Sequence, residues 1–525
     1  MSQNHRSDRQ LAFATIDEIA AGYRTGAYTA LETTTYFLER LSARGTELNA
    51  IACLLADRAT EQARRLDGEA SGNADRTTLW GIPYGVKDMF STAGAATLNG
   101  SRIPLPMQFS GDAEIIRQLA GSGAILAAKL ALQEFGALHS LDPARASAGA
   151  TRNPWDPERW SGGSSSGSGA AVAAGLLPFA IGAESGGSIA FPSSYCGLTG
   201  LRPTFGRISR AGASIVCWSL DKIGPMAHSA ADCRTVLDVL APDGGQGSRG
   251  RKGSSGLGWL RLGWAEYDIE EAAWPDVRPA LRDGLRAFRD LGATLVPVEL
   301  PTDIPYAAAI SVIAIAEAAE ATGALLRSDD FGSLSLEQQA GMVAGQEVLA
   351  RDYIAADRVR AVLERAFAST FERVDAIASF VTPWPSPPIY EMFEPVPITS
   401  GLTGLIAAGN LAGLPAVFMP CGLTETGLPV GLQIVGRPHG ERLLLDVVEA
   451  VQATTGWHRL RPPEPAGGMT ALATDIPEPI TSEALASRIE SDRKQFADLA
   501  GVVRSWVETV LDEPSMRFQP SLFRQ

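Results

Sequence analysis

Ser188 follows directly on a glycine pair in the run Glu184-Ser185-Gly186-Gly187-Ser188, an order of residue types that suits nucleophilic attack on a carbonyl carbon. Two glycines ahead of a hydroxyl let the backbone N–H groups of Ser185, Gly186, Gly187 and Ser188 converge on one point, where they would hold a developing oxyanion. An isolated Gly-Gly-Ser is more often only a tight turn. Company sets this one apart. The run Ser161-Gly162-Gly163-Ser164-Ser165-Ser166-Gly167-Ser168-Gly169 lies just upstream, too polar for a core strand and too small for a packed helix, and it is embedded in apolar sequence instead of joining two domains.

A serine nucleophile needs a base. The histidines are His5, His139, His228, His439 and His458, and none sits in a motif that assigns it a role. Lysine is the alternative where burial lowers its pKa enough to populate the neutral amine. Lys87 fits that requirement: it closes the apolar run Leu79-Trp80-Gly81-Ile82-Pro83-Tyr84-Gly85-Val86 and is followed, after Asp88, by Met89 and Phe90. Two other short patterns lack the context they need. Gly163 to Gly167 matches G-x-S-x-G with Ser165 as nucleophile, yet Asn153 to Trp160 ahead of it is no strand. Ser219-Leu220-Asp221-Lys222 and Ser491-Asp492-Arg493-Lys494 match S-x-x-K, but neither S-D-N nor K-T-G follows.

Such residues need elements to hold them. Thr15 with Glu18 makes a capping box that opens a helical stretch over residues 1–80, closed by the strand signal that ends at Lys87. A helix over Glu114–Leu119 and a strand over Ala124–Leu132 come next, and Ala170–Ala183 reads as an apolar helix followed by a strand. Helical periodicity returns over 307–326 and 336–372, and strand-like runs recur at Ala376–Thr382, Ala416–Pro420 and Pro429–Val435. Alternating helices and apolar strands predict α/β layers around a sheet. Pro242–Gly258 reads as a surface loop, and the uncharged stretch from Pro395 to Thr424 carries too many glycines and prolines to span a membrane, so it predicts buried helix, loop and strand. After Pro462 the composition turns to Pro, Ala and Gly. A last helix then bears the stripe Leu485, Ile489, Phe496, Leu499, Val503, Trp506 and Val510, interrupted at Asp492, which docks on its own domain or on a partner chain.

Bulk properties narrow the class of protein. The chain has 525 residues, 45% of them hydrophobic, and a net charge of −14, which is ample core material and no electrostatic footprint for a phosphate backbone. Direct nucleic-acid binding and membrane insertion are therefore not expected. The cysteines Cys53, Cys196, Cys217, Cys233 and Cys421 are odd in number and unpaired by spacing, and the N-terminus MSQNHRSDRQLAFAT has charges where a secretory signal has its apolar core, so a cytoplasmic location is expected.

The combination resembles the amidase signature family. The resemblance is carried by Gly162 to Ser168, Gly182 to Ile189 and Cys196 to Thr204, and outside them by Gly81 to Asp88, Asn153-Pro154-Trp155 and Leu428 to Gln433, all in the same order. It implies a three-layer α/β/α sandwich with a mixed, largely parallel sheet, a catalytic domain over 1–465 and a C-terminal extension over 466–525 with one amphipathic helix. It implies Ser188 as nucleophile, Lys87 as base and Ser164 as the serine that bridges them, held by a cis peptide after Gly163. No metal or organic cofactor is implied. The substrate class is a small carboxylic amide or an ester, with Met89, His139, Cys217 and Trp218 as candidate pocket residues and a homodimer compatible with the tail. Two further readings stay open: the glutamine-hydrolysing subunit of a tRNA-dependent amidotransferase, and an inactive scaffold. Ser185 stands where the family commonly has threonine, and Ala190 where it commonly has arginine.

Overall fold

The computed structural model describes residues 11–69, 77–103, 110–137, 146–242, 256–389, 404–464 and 480–511. The chain begins with α1 (Ile16–Thr25), α2 (Ala30–Arg40), β1 (Ile51–Leu54) and α3 (Ala56–Gly68). Next come β2 (Pro83–Lys87), α4 (Glu114–Gly121), β3 (Ile125–Leu130), a ribbon of β4 (Arg152–Asn153) and β5 (Asp156–Trp160), and α5 (Ser166–Ala173). They lead into β6 (Phe179–Glu184), α6 (Ala190–Tyr195), β7 (Thr199–Arg202), β8 (Lys222–Ala227) and α7 (Ala230–Leu240). The second half adds β9 (Arg261–Ala265), α8 (Arg278–Asp290), β10 (Thr294–Val298), α9 (Tyr306–Thr322), α10 (Leu336–Gly345) and α11 (Ala350–Arg373). It closes with β11 (Ala376–Phe380), α12 (Gly404–Leu411), β12 (Ala416–Leu423), β13 (Pro429–Gly436), α13 (Glu441–Thr455) and α14 (Ser482–Leu511).

Eleven strands form one sheet in the order β1-β3-β2-β6-β8-β7-β12-β13-β11-β9-β10. Alternate residues of each strand feed opposite faces. Val417 and Met419 of β12 enter one apolar cluster with Ile115 of α4, Val236 of α7, Leu281 of α8 and Leu444 of α13. Ala416 and Phe418 enter the other, with Val172 of α5, Ile313 of α9, Leu363 of α11 and Leu405 of α12. Burial on both faces explains why the strands read as continuous apolar runs, and it makes the three-layer α/β/α sandwich that was expected. The sheet is mixed, with fewer parallel neighbours than expected: parallel pairing is confined to β6-β2-β3 on one side and β11-β9-β10 on the other, and the strands between run antiparallel.

Several local expectations meet their elements. The Thr15 and Glu18 capping box closes reciprocally at the start of α1. The N-terminal stretch is not helical throughout, because Ile51–Leu54 pairs antiparallel with β3 at the sheet edge. The run 336–372 divides into α10 and α11. The part of 395–424 that is described is a buried helix, α12, leading to β12, and among the described residues no helix is long and apolar enough to cross a membrane. Residues 243–255, the body of the surface loop read from composition, lie outside the described residues. The last helix, α14, packs against α9, α10 and α11, with Ala500, Val503 and Val507 buried. Asp492, read as a break in its stripe, is buried and accepts a hydrogen bond from Arg488 at 2.8 Å.

Candidate active site

Lys87 is the last residue of β2, and the period of the strand decides where it points. Tyr84 and Val86 enter the cluster on one face, so Lys87 is sent to the other, the face covered by α5. There it is 2% exposed, and its Nζ donates to Ser164 Oγ at 2.7 Å and to the carbonyl of Ala183 at 3.3 Å. Burial lowers its pKa to about 7, against the opposing pull of Asp221 and Glu184. No carboxylate is paired with it among the described residues.

Ser164 sits in the turn between β5 and α5, after a cis peptide bond from Gly163. Gly162 makes that turn possible: its φ is +84°, and a Cβ there would come within 2.6 Å of the Pro192 backbone. The hydroxyl of Ser164 lies 3.0 Å from Ser188 Oγ. The structure thus brings Lys87, Ser164 and Ser188 into one hydrogen-bonded chain. Ser164 is buried like the lysine, whereas Ser188 is only half-buried, so the chain runs from the interior to a hydroxyl that solvent reaches.

Ser188 ends a turn that β6 delivers. Gly187, at φ +127°, lies under the Phe191 ring, where a Cβ would come within 2.6 Å of it. The N–H groups of Gly186, Gly187 and Ser188 donate no hydrogen bond to a described residue. Ser185 donates through its hydroxyl to Asp221 Oδ1. Glu184 pins both ends of the turn: its Oε2 accepts the N–H groups of Ile189 and Ala190, each at 2.8 Å, and its Oε1 accepts from Arg202 at 2.9 Å and Asn410 at 2.8 Å. Burial opposes its charge, and Arg202, Asn410 and the Ala190 N–H outweigh that, holding the carboxyl below its ordinary pKa. Ala190 itself is fully buried, its N–H spent on this clamp.

Glu184, Arg202, Asn410 and Asp221 were not singled out from sequence as parts of the site. A signal existed: Glu184 is the first charge after an uncharged segment, and Asn410 is a polar side chain inside an uncharged, apolar one. Of the candidate pocket residues, Met89 is core, its carbonyl accepting from the N–H of Ser214 at 2.8 Å. Cys217 is fully buried, and Trp218 is 69% exposed at the rim of a cavity. His139 lies outside the described residues.

The family model described as Amidase matches residues 32–445. A glutamyl-tRNA(Gln) amidotransferase subunit of Acinetobacter baumannii is 34% identical over 485 residues, covering 85% of this chain and 97% of the relative. The protein of the same name from Chloroflexus aurantiacus is 36% identical over 493 residues, covering 86% and 99%. The native peptide amidase from Stenotrophomonas maltophilia superposes with a TM-score of 0.72 at 28% identity, covering 86% of this chain and 98% of that one. By name, the first two are subunits of an enzyme of glutamyl-tRNA. This overturns the expectation that partners beyond the substrate stop at a second copy of the chain, with no nucleic acid. The error is physical: acidic charge limits what a chain grips by itself and says nothing about the assembly it serves. From the motifs, the fold and the matched length together, the chain belongs to the amidase signature family.

Proposed function

We propose that the chain cleaves a carboxylic amide through an acyl-enzyme on Ser188, with Ser164 and Lys87 relaying the proton. The observation that carries this reading is the unbroken path from Lys87 Nζ to Ser164 Oγ at 2.7 Å and on to Ser188 Oγ at 3.0 Å. Neutral Lys87 takes the Ser164 proton as Ser164 takes that of Ser188, and the Ser188 oxygen adds to the amide carbon. The N–H groups of Gly186, Gly187 and Ser188, which donate to no described residue, would hold the charge that develops on the carbonyl oxygen. The ammonium of Lys87 then returns a proton through Ser164 to the leaving amine, and water repeats the relay to release the acid.

Glutamine is the amide this reading favours, with the chain as the ammonia-generating subunit of an amidotransferase, because relatives of that name match at 34% and 36% identity over nearly their whole length. The amide of a peptide is the second reading, supported by the likeness to the peptide amidase. An alkyl fluorophosphonate tests the common core: it should label the wild-type chain and leave Ser188→Ala unlabelled, and equal labelling of the two would exclude the acyl-enzyme. Ammonia release from L-glutamine and from a peptide amide, measured side by side, separates the substrates by which is faster.

A further inference from the structure

A cavity of about 910 Å³ opens between the segment Arg210–Trp218 and helix α9, with Tyr353 of α11 at its edge. The wall formed by Arg210–Trp218 is tied to the catalytic residues on two sides. On one side Ser91 N–H donates to Gly212 O at 2.9 Å and Ser214 N–H to Met89 O at 2.8 Å, tying the segment to the chain that leaves Lys87. On the other, Asp221 Oδ2 accepts the N–H groups of Val216 at 3.2 Å and Cys217 at 3.4 Å, while Oδ1 holds Ser185 in the turn that presents Ser188.

The lining is mostly apolar and carries two charges left over. The Arg210 guanidinium is stacked between Phe205 and Trp218, 4.8 and 4.9 Å from their ring centroids, and donates to the carbonyl of Trp218. It pairs with no described carboxylate. Across the cavity α9 presents Glu317 and Glu320, neighbours on one helix face. Glu317 is occupied, accepting from Ser219 N–H at 2.9 Å and from the Tyr353 hydroxyl at 2.6 Å. Glu320 is exposed and pairs with no described cation. A planar, weakly hydrated cation held by two rings suits a carboxylate, and a free carboxylate opposite it suits an ammonium. Val216, Ala316 and Ala321, which also line the cavity, suit methylene groups.

We propose that this cavity receives the zwitterionic head of an α-amino acid that carries the scissile amide, with Arg210 on its carboxylate and Glu320 on its ammonium. The inference rests on the glutamine reading and adds to it the residues that select the substrate.

The test is calorimetric, in a Ser188→Ala parent that binds without turnover. The ligands are L-glutamine, 5-amino-5-oxopentanoate, which lacks the ammonium, and 4-aminobutanamide, which lacks the carboxylate. Arg210→Met should weaken glutamine and 5-amino-5-oxopentanoate about tenfold or more and leave 4-aminobutanamide unchanged, since a hydrogen bond to a charged group is worth that much. Glu320→Gln should weaken glutamine and 4-aminobutanamide and leave 5-amino-5-oxopentanoate unchanged. A distorted cavity would weaken all three ligands together, and that result, or unchanged binding in either variant, overturns the proposal. So does a parent that binds no glutamine. Fluorophosphonate labelling of the wild-type chain in that last case shows that the Ser188 chemistry stands and that only the amino-acid head is wrong.

Discussion

Two buried amines lie on adjacent strands and meet opposite fates. Lys129 of β3 stands opposite Val86, and Lys87 stands opposite Leu130, so the two side chains leave the sheet on different faces. Lys129 reaches Asp88 at 2.5 Å, the carbonyl of Ala96 at 2.6 Å and Thr97 Oγ1 at 2.7 Å. Burial depresses it, and Asp88 pulls it back toward the charged form. Among the described residues Lys87 has only a hydroxyl and a carbonyl within reach, and burial takes its pKa to about 7. The same side chain is thus a structural cation where a carboxylate meets it and a prospective base where none does. Between these two amines the counter-ion divides the roles.

The comparison breaks most sharply at Lys87. Replacing it with methionine should lower kcat by about three orders of magnitude, the middle of the range that a general base supplies, while the melting temperature holds or rises because no buried ion is left unpaired. Steady-state turnover beside a thermal melt reads both. Lys129→Met should behave in the opposite way: it strands Asp88 and should cost about 3–5 kcal/mol of stability, seen in urea unfolding, with turnover per folded molecule near the parent's. A pH series sharpens the contrast further. The neutral amine is the working form, so kcat/KM should rise with pH through about 7 and fall below it as Lys87 takes up a proton. A profile flat across that range would mean that another group sets the base. The smallest effect is expected at Ser185→Ala, which removes the hydroxyl held by Asp221 and should slow turnover about tenfold or less, with KM nearly kept.

What could be read from sequence was local in character. Lys87 at a strand end, the Gly186-Gly187-Ser188 turn and the small-residue run around Ser164 are continuous stretches whose residue types already state their constraint. The order of these motifs was enough to place them in one family and one layered fold. The clamp on the turn was hidden because its parts are far apart: Asn410 reaches Glu184 across 226 residues, and no periodicity links them. The cavity was hidden for the same reason, since Arg210 and Glu320 come from separate segments, and of its lining Trp218 alone was among the candidate pocket residues. The parallel share of the sheet was overestimated because apolar runs report burial on both faces and not strand direction.

The final helix has a practical consequence. Its buried Ala500, Val503 and Val507 cover helices of the cavity-bearing layer, and Arg493 and Arg504 fasten it to Glu347 and Asp352. A gene shortened to stop after residue 464 would still encode Lys87, Ser164 and Ser188, yet would express a chain with a greasy strip laid bare along α9 and α11, prone to clump in the tube.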